Sequence, residues 1–335
     1  MKILVLGGTR FFGKEFARQA CKEGHEVTVF SRRCPVDGLP LDVKQARGDR
    51  TVEVDLVRMS LEIWDVVVDN ICYTPQDAQK AIKAFSGRTG LYIFTSSGGI
   101  YYALKGSVSP YRENHAELFS QNSELRHLPE HSYNFGKFDA EKIYSDAYRE
   151  KKFPVVIARF PIIIGPDDPT LRAYSYWLRI TDGQPFFAPG AGFSRTYLFS
   201  KDAARALGLM INARDIIGQA FNFADAASLS LADFLKISAV IINRELKALT
   251  AGFEWLRENG FDFEASPFSS QTDCVMDVSK AVKTLNWQPS ETTSWLKETI
   301  NWCFFKYTGS PPQNYLKRKH ELTLAEKWSA VHKLV

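Results

Sequence analysis

Short apolar runs alternate with helical patterns along the first 165 residues of the chain. Lys2–Leu6 and residues 26–30 read as strands, joined by a helix that begins near Phe12 and is closed by Gly24. Further strands are expected at 43–47, 66–70, 91–95 and Val155–Phe160, each apolar enough to be buried on both faces. Helices are expected at Pro75–Phe85 and 133–151. Near-continuous apolar strands separated by helices predict a parallel sheet covered on both sides, a doubly wound α/β fold. After Gly165 and Pro166 the pattern changes. Residues 167–195 are rich in aromatics, Gly and Pro. Beyond them the chain reads as a strand at 195–199, a helix at 201–213, a strand at 220–223 and helices at Leu231–Ile242 and 291–306. The expected organisation is a first domain over 1–165, to which residues near 195–215 return, and a smaller C-terminal α/β substrate lobe over 166–310. A basic amphipathic tail helix over 311–335 carries Leu322, Leu324, Trp328, Val331 and Leu334, and is expected to dock on the domain or on a second copy.

Composition narrows the class without naming it. The chain has 335 residues, of which 45% are apolar and 24% charged, an ordinary globular balance. Forty-two basic against 38 acidic residues leave only +4, spread along the chain, so charge alone does not call for nucleic acid. Cys21, Cys34, Cys72, Cys274 and Cys303 are few and far apart, which predicts a reduced intracellular protein without disulfides or a thiolate zinc site. A charged residue directly after Met1 and the absence of a long apolar span make the cytoplasm the expected compartment, with no membrane partner. His127 and His131, beside Glu124 and Glu130, form a candidate metal pair, but the polar, proline-containing stretch around them favours a solvated loop.

The chemistry begins at GGTRFFG, between the first strand and the first helix. Gly7 allows a tight turn, Gly13 lets the helix pack against the sheet, and the helix N-terminus offers free N–H groups to a pyrophosphate. At the end of the second strand an NAD enzyme usually places a carboxylate on the ribose. This chain has Ser31, Arg32 and Arg33 instead, a hydroxyl and guanidinium groups that suit a 2′-phosphate, with Arg10 as a further cation. NADP is therefore expected over NAD.

Two later segments complete a pattern. The strand at 91–95 runs into TSSGGIYY, and YNFGK comes at 133–137, before a strand ending in ARFPIIIGP. Five tyrosines have Lys four residues on, but only Tyr133 opens a long helix between the serine strand and the strand reaching Arg159. Together with SRTYLFSKDAARA, GQAFNF and DVSKAVKTLNWQP, these segments resemble the extended short-chain dehydrogenase/reductase superfamily over residues 1 to about 305. More narrowly, they resemble its NAD-dependent epimerase/dehydratase branch, which has a Rossmann fold.

The resemblance implies a catalytic Ser97, Tyr133 and Lys137. Lys137 would lower the phenol's pKa by roughly 1–3 units and hold the nicotinamide ribose. Tyr133 would pass a proton to a carbonyl oxygen that Ser97 also binds. It further implies cofactor contacts from Gly7, Thr9, Arg10, Phe11, Phe12, Gly13, Ser31, Arg32, Asp49 and Pro161, and a substrate contact from Arg195. The activity implied is an NADP-dependent oxidoreductase acting on a sugar-like carbonyl, with a nucleotide-linked 4-keto sugar as one candidate. The alternatives are a nucleotide-sugar epimerase with retained NAD, and a non-catalytic RNA- or protein-binding relative. A homodimer through 75–85 and 133–151 is implied, and no nucleic acid partner. The branch's 4,6-dehydratases carry Asp-Glu after the catalytic Ser/Thr, where this chain has Gly98 and Gly99, so that reaction is not expected.

Overall fold

The computed structural model describes residues 1–101, 109–119 and 131–332. His127, Glu124, Glu130 and Leu334 lie outside them. The chain forms two compact units: Met1–Ile163 with Leu198–Ala226 and Met276–Pro289, and Ile164–Tyr197 with Ala227–Val275 and Ser290–Val335.

Seven strands build the sheet of the first unit: β1 (Lys2–Leu6), β2 (Glu26–Ser31), β3 (Lys44–Arg47), β4 (Trp64–Asp69), β5 (Thr89–Ser97), β6 (Val155–Phe160) and β7 (Ala220–Asn222). They lie in the order β3-β2-β1-β4-β5-β6-β7, and their pairings are parallel. Alternate residues point to opposite faces. Ile3, Val5, Val27 and Val68 pack beneath helix α1 (Phe11–Lys22) and helix Ser200–Asn212. Leu4, Leu6, Val67, Tyr92 and Phe94 pack beneath α3 (Pro75–Phe85) and α4 (Ser132–Lys151). A short helix α2 (Glu53–Met59) precedes β4. In register, Leu6, Phe30, Asp69 and Phe94 come level, so the C-terminal ends of the strands open on one edge. Ligands of open parallel sheets bind at such an edge.

Two expectations need correction. The strand at 43–47 is not buried on both faces, because β3 is the sheet edge and its Lys44 and Arg47 are exposed, as an edge strand's charges commonly are. The single strand at 195–199 divides into Ser194–Arg195, paired antiparallel with Leu229–Ser230, and Tyr197–Phe199.

In the second unit the aromatic stretch after Pro166 contains a helix, Arg172–Asp182, closed by Gly183 at φ 68°. Tyr176 and Trp177 of that helix are core. Their polar ends bond the hydroxyls of Ser266 and Ser238, at 2.9 and 3.0 Å. The tail forms a helix, Arg318–His332, and it docks within this unit. Leu324 and Ala325 join Phe187, Ala251, Leu256 and Phe261, while Trp328 meets Trp255 edge-on at 4.7 Å. Its anchor is ionic. Buried Glu321 accepts from Arg179 Nε at 2.8 Å, Arg318 at 3.0 Å and the Phe187 N–H at 3.1 Å. Among the described residues no helix is long and apolar enough to cross a membrane, and no group of three His, Cys, Asp or Glu is placed to hold a metal ion.

Removing one partner of a buried ionic cluster leaves uncompensated charge, which typically costs about 3–5 kcal/mol. Glu321→Ala is expected to lower stability by that order and to free the tail helix, read as a lower denaturation midpoint and faster proteolysis after residue 317. An unchanged midpoint would refute the anchoring role.

Candidate functional site

The site is built on the C-terminal edge of the first unit's sheet, where β1, β4 and β5 run into loops. At the end of β1, Gly7 has φ 86°, a conformation that L side chains rarely adopt. A Cβ on Gly13 would lie 2.5 Å from the Gly7 carbonyl oxygen and 3.0 Å from Asn70 Nδ2. Glycine at both positions therefore opens a cradle between strand and helix. Arg10 is the extended N-cap of α1 and is exposed, its own side chain does not cap the helix, and the first turn holds no acidic residue. Phe11 comes next at φ 54°, while Thr9 and Phe12 are half-buried, Phe12 edge-on to Phe160 at 5.8 Å. Asn70 Nδ2, buried beside this turn, has no hydrogen-bond partner among the described residues. Uncapped helix N–H groups, a cation and an unsatisfied amide donor around a glycine cradle fit an anionic dinucleotide, so the residues present suit the coenzyme that the sequence implies.

At the end of β2 the arrangement is more local than expected. The Ser31 hydroxyl donates to the Arg33 carbonyl at 2.8 Å and accepts from the Arg33 N–H at 3.2 Å, so it shapes the turn. Arg32 is 78% exposed along its side chain and lies 4.0 Å from Asp49. The Thr51 N–H and hydroxyl hold the Asp49 carboxyl below its ordinary range.

The reactive pair sits on α4. Tyr133 is 49% exposed, whereas Lys137, one turn on, is buried and donates from Nζ to the Thr95 carbonyl at 2.7 Å. Burial pushes the Lys137 ammonium below the ordinary lysine range, against the opposing pull of Cys72, Tyr73 and Asp69. Its Nζ lies 6.0 Å from the Tyr133 ring centre, 5.1 Å from Phe94 and 4.8 Å from Tyr73. Ser97 ends β5, and its Oγ accepts from the Gly99 N–H at 3.0 Å. Asn134, next to Tyr133, presses its Oδ1 against Gly99, so a Cβ there would overlap it and come within 3.1 Å of Ser97 Oγ. A Cβ on Gly98 would lie 2.5 Å from Met276 Sδ and 3.5 Å from the Cα of Pro161, which places Pro161 beside the end of β5. Side chains at these two positions would displace the ends of the Met276 and Asn134 side chains, which now fill the space beside both glycines.

Ser97, Lys137, Tyr133 and the Gly7–Gly13 turn all belong to the first unit. Arg195 belongs to the second, where it is buried with one guanidinium nitrogen 3.5 Å from the Ser269 carbonyl. Tyr73, Thr95, Asn70 and Asn134 are site residues that sequence reasoning does not single out. Tyr73 and Asn70 stand just past the end of β4, and ligand residues gather after the C-terminal ends of parallel strands, so position could have flagged them.

Beneath the site lie two buried polar clusters. Arg50 bonds Asp69 and lies 3.1 Å from Asp77, while the Tyr92 hydroxyl donates to Asp69 at 2.7 Å and Tyr144 to Tyr92 at 3.1 Å. Burial opposes the charge on Arg50, but Asp69 outweighs it and keeps the guanidinium protonated. Beside them, burial pushes the Cys72 thiol up to about 12, so it is not a nucleophile at neutral pH. Arg159 of β6 clamps Glu141 of α4 through Nε and Nη2 and donates to the Tyr101 hydroxyl at 2.7 Å. Tyr101 in turn donates to Asn222 at 2.9 Å and stacks on Tyr111.

Comparison with known proteins agrees with this architecture. The chain is 28% identical over 312 residues to the chloroplast stem-loop binding protein of 41 kDa b from Arabidopsis thaliana, covering 86% of this chain and 75% of that protein. Among solved structures, it superposes on UDP-glucose 4-epimerase of Thermotoga maritima with UDP-glucose (TM-score 0.70, 18% identity, 90% of this chain and 98% of that one). It superposes likewise on UDP-glucuronic acid 4-epimerase of Bacillus cereus in complex with NAD (TM-score 0.71, 17% identity, 92% and 99%). At such identities these two show a shared fold. Residues 3–224, about two thirds of the chain, match the NAD dependent epimerase/dehydratase family, and the protein belongs to that family.

Proposed function

We propose that the protein is an NADP-dependent oxidoreductase acting on a sugar-like carbonyl or hydroxyl through Ser97, Tyr133 and Lys137. The observation that carries this reading is the pair on α4, a half-exposed phenol one helical turn from a buried ammonium, on the helix whose Asn134 comes against Gly99, two residues past Ser97. Bound in the Gly7–Gly13 cradle, the coenzyme would supply or accept the hydride. Tyr133 holds its phenolic proton where the substrate oxygen arrives and donates it in the reducing direction. Ser97 hydrogen-bonds the same oxygen, and Lys137 keeps positive charge under the phenol. A positioned acid of this kind contributes about 10²–10⁴ in rate. Glycine at positions 98 and 99, where a 4,6-dehydratase carries Asp-Glu, supports a reaction without that acid–base pair. Arg195 is assigned to a phosphate of the substrate, a role that suits a nucleotide-linked sugar.

NADP is favoured by Arg10 and Arg32, both exposed on the first unit near the turn and the end of β2. The Ser31 hydroxyl, already engaged, contributes less. The NAD bound by the Bacillus cereus structural neighbour supports the alternative of an epimerase that retains NAD. A second reading, RNA binding, is favoured by the stem-loop binding relative, and the same exposed arginines would serve it as phosphate contacts. The proposed homodimer rests on the family resemblance, and the proposed cytoplasmic location on the charged residue after Met1 and the lack of a long apolar span in the sequence.

Titration with NADPH and NADH by fluorescence is expected to show tighter NADPH binding, and Arg32→Ala to lose that preference by about tenfold, the worth of one charge-assisted hydrogen bond. NAD retained through purification would instead favour the epimerase. If neither coenzyme binds, while a stem-loop RNA is shifted with steep salt dependence, the second reading replaces the first. Tyr133→Phe is expected to abolish NADPH-dependent reduction of UDP-4-keto sugars, by about 10²–10⁴, with NADPH affinity kept. Equal loss of affinity and turnover would show that Tyr133 is not the acid.

A further inference from the structure

Tyr73 is not part of the Ser-Tyr-Lys constellation, yet its ring is nearer to the Lys137 ammonium than the Tyr133 ring is, 4.8 against 6.0 Å. Its place is fixed by backbone. The Tyr73 N–H donates to Asp77 Oδ2 at 3.0 Å, within the capping box that starts α3, and Asp77 is held 3.1 Å from buried Arg50. The Tyr73 carbonyl oxygen lies against Gly136, where any Cβ would overlap it, so α4 approaches this loop by backbone one residue before Lys137. The residue is 47% exposed and its ring lies 6.2 Å from the Tyr133 ring, so two phenols flank the open side of one buried cation.

We propose that Tyr73 is a positioning residue for Lys137, its ring face holding the ammonium charged and seated on the Thr95 carbonyl. The inference deepens the proposed function, since it rests on Lys137 being the cation of that site. Burial removes water from the ammonium, and one carbonyl replaces only part of it. An aromatic face within about 6 Å supplies electrostatic attraction without a competing negative charge. The titratable and charged groups facing Lys137 are Asp69, Cys72 and Tyr73 from the β4 end, Arg50 from the loop before α2, and Tyr133 from its own helix. Asp69 is already engaged by Arg50 and Tyr92, and the aromatic faces of Tyr73 and Phe94 are the nearest rings to the ammonium among the described residues. Burial keeps the Tyr73 phenol above its ordinary range, so its ring stays neutral beside the cation.

A group that stabilises the charged form raises the lysine's pKa, so removing it lowers the pH at which Lys137 loses its proton. The test is the titration of Lys137 in protein labelled at lysine Cε with ¹³C, its resonance assigned by its disappearance in Lys137→Met. This readout needs neither substrate nor coenzyme. Tyr73→Leu is expected to lower the midpoint by roughly 0.5–1.5 pH units, and Tyr73→Phe to leave it in place. An unchanged midpoint in Tyr73→Leu overturns the proposal, and so does an equal drop in Tyr73→Phe, which would assign the effect to the hydroxyl. Should the leucine variant fail to fold, Tyr73→Trp is expected to raise the midpoint, and no rise overturns it. NADPH affinity measured on the same variants separates the two readings. A shifted titration in a protein whose wild type binds no coenzyme would leave the role of Tyr73 standing and remove the proposed function.

Discussion

A lysine ammonium buried under α4 and tied to a strand carbonyl is the constraint around which the first unit is organised. Burying a charge is costly unless it is paired or well solvated by the protein. The Thr95 carbonyl can receive Lys137 only because α4 lies close to the sheet edge, and α4 lies that close only because residue 136 is glycine. The same approach brings Tyr73 over the cation and carries Asn134 against Gly99, beside Ser97. One close backbone contact therefore sets the positions of four side chains that come from three separate elements.

The clusters below the site hold those elements in register. Arg50 lies between Asp69, at the end of β4, and Asp77, in the first turn of α3, so it fixes the loop that carries Tyr73. Arg159 links β6 to α4 through Glu141 and reaches the loop after β5 through Tyr101. Buried ion pairs such as these are weak evidence for net stability, since desolvation consumes much of their attraction. Their value here is geometric. Arg159 is held by several hydrogen bonds of fixed direction. Arg50 bonds Asp69 through Nη2, while its Nε and Nη1 have no hydrogen-bond partner among the described residues. Each arginine pins a loop at the edge where the parallel strands end.

The fold is legible because its signal is periodic. Apolar runs at β1, β2, β4, β5 and β6 separated by amphipathic helices leave few architectures, and the Gly7–Gly13 spacing marks where the first loop turns. Tyr133 stands out from five tyrosines by its place at the start of a helix, and the structure puts it there. What the sequence hides is three-dimensional pairing. Nothing local marks Tyr73 as the neighbour of Lys137, 64 residues away, because the relation depends on how α3 and α4 pack. Ser31 and Arg32 show the opposite case. Both stand at the end of β2 as expected, but the serine is used by its own turn, a hydrogen bond that composition cannot reveal. The edge character of β3 is likewise hidden, since the apolar pattern starts at Val43 while the paired residues are Lys44, Gln45, Ala46 and Arg47.

Close packing also bears on chemistry. Gly98 and Gly99 leave the end of β5 without carboxylates, and Met276 and Asn134 fill the space that side chains there would need. Under the proposed function, proton transfer at the substrate oxygen then falls to the Tyr133 phenol and the cation beside it. A single acid suits a reaction in which hydride and proton move together, whereas elimination of water needs a base to take one proton and an acid to protonate the leaving group. Within the proposed function, the absence of carboxylates at positions 98 and 99 thus fits transfer rather than elimination.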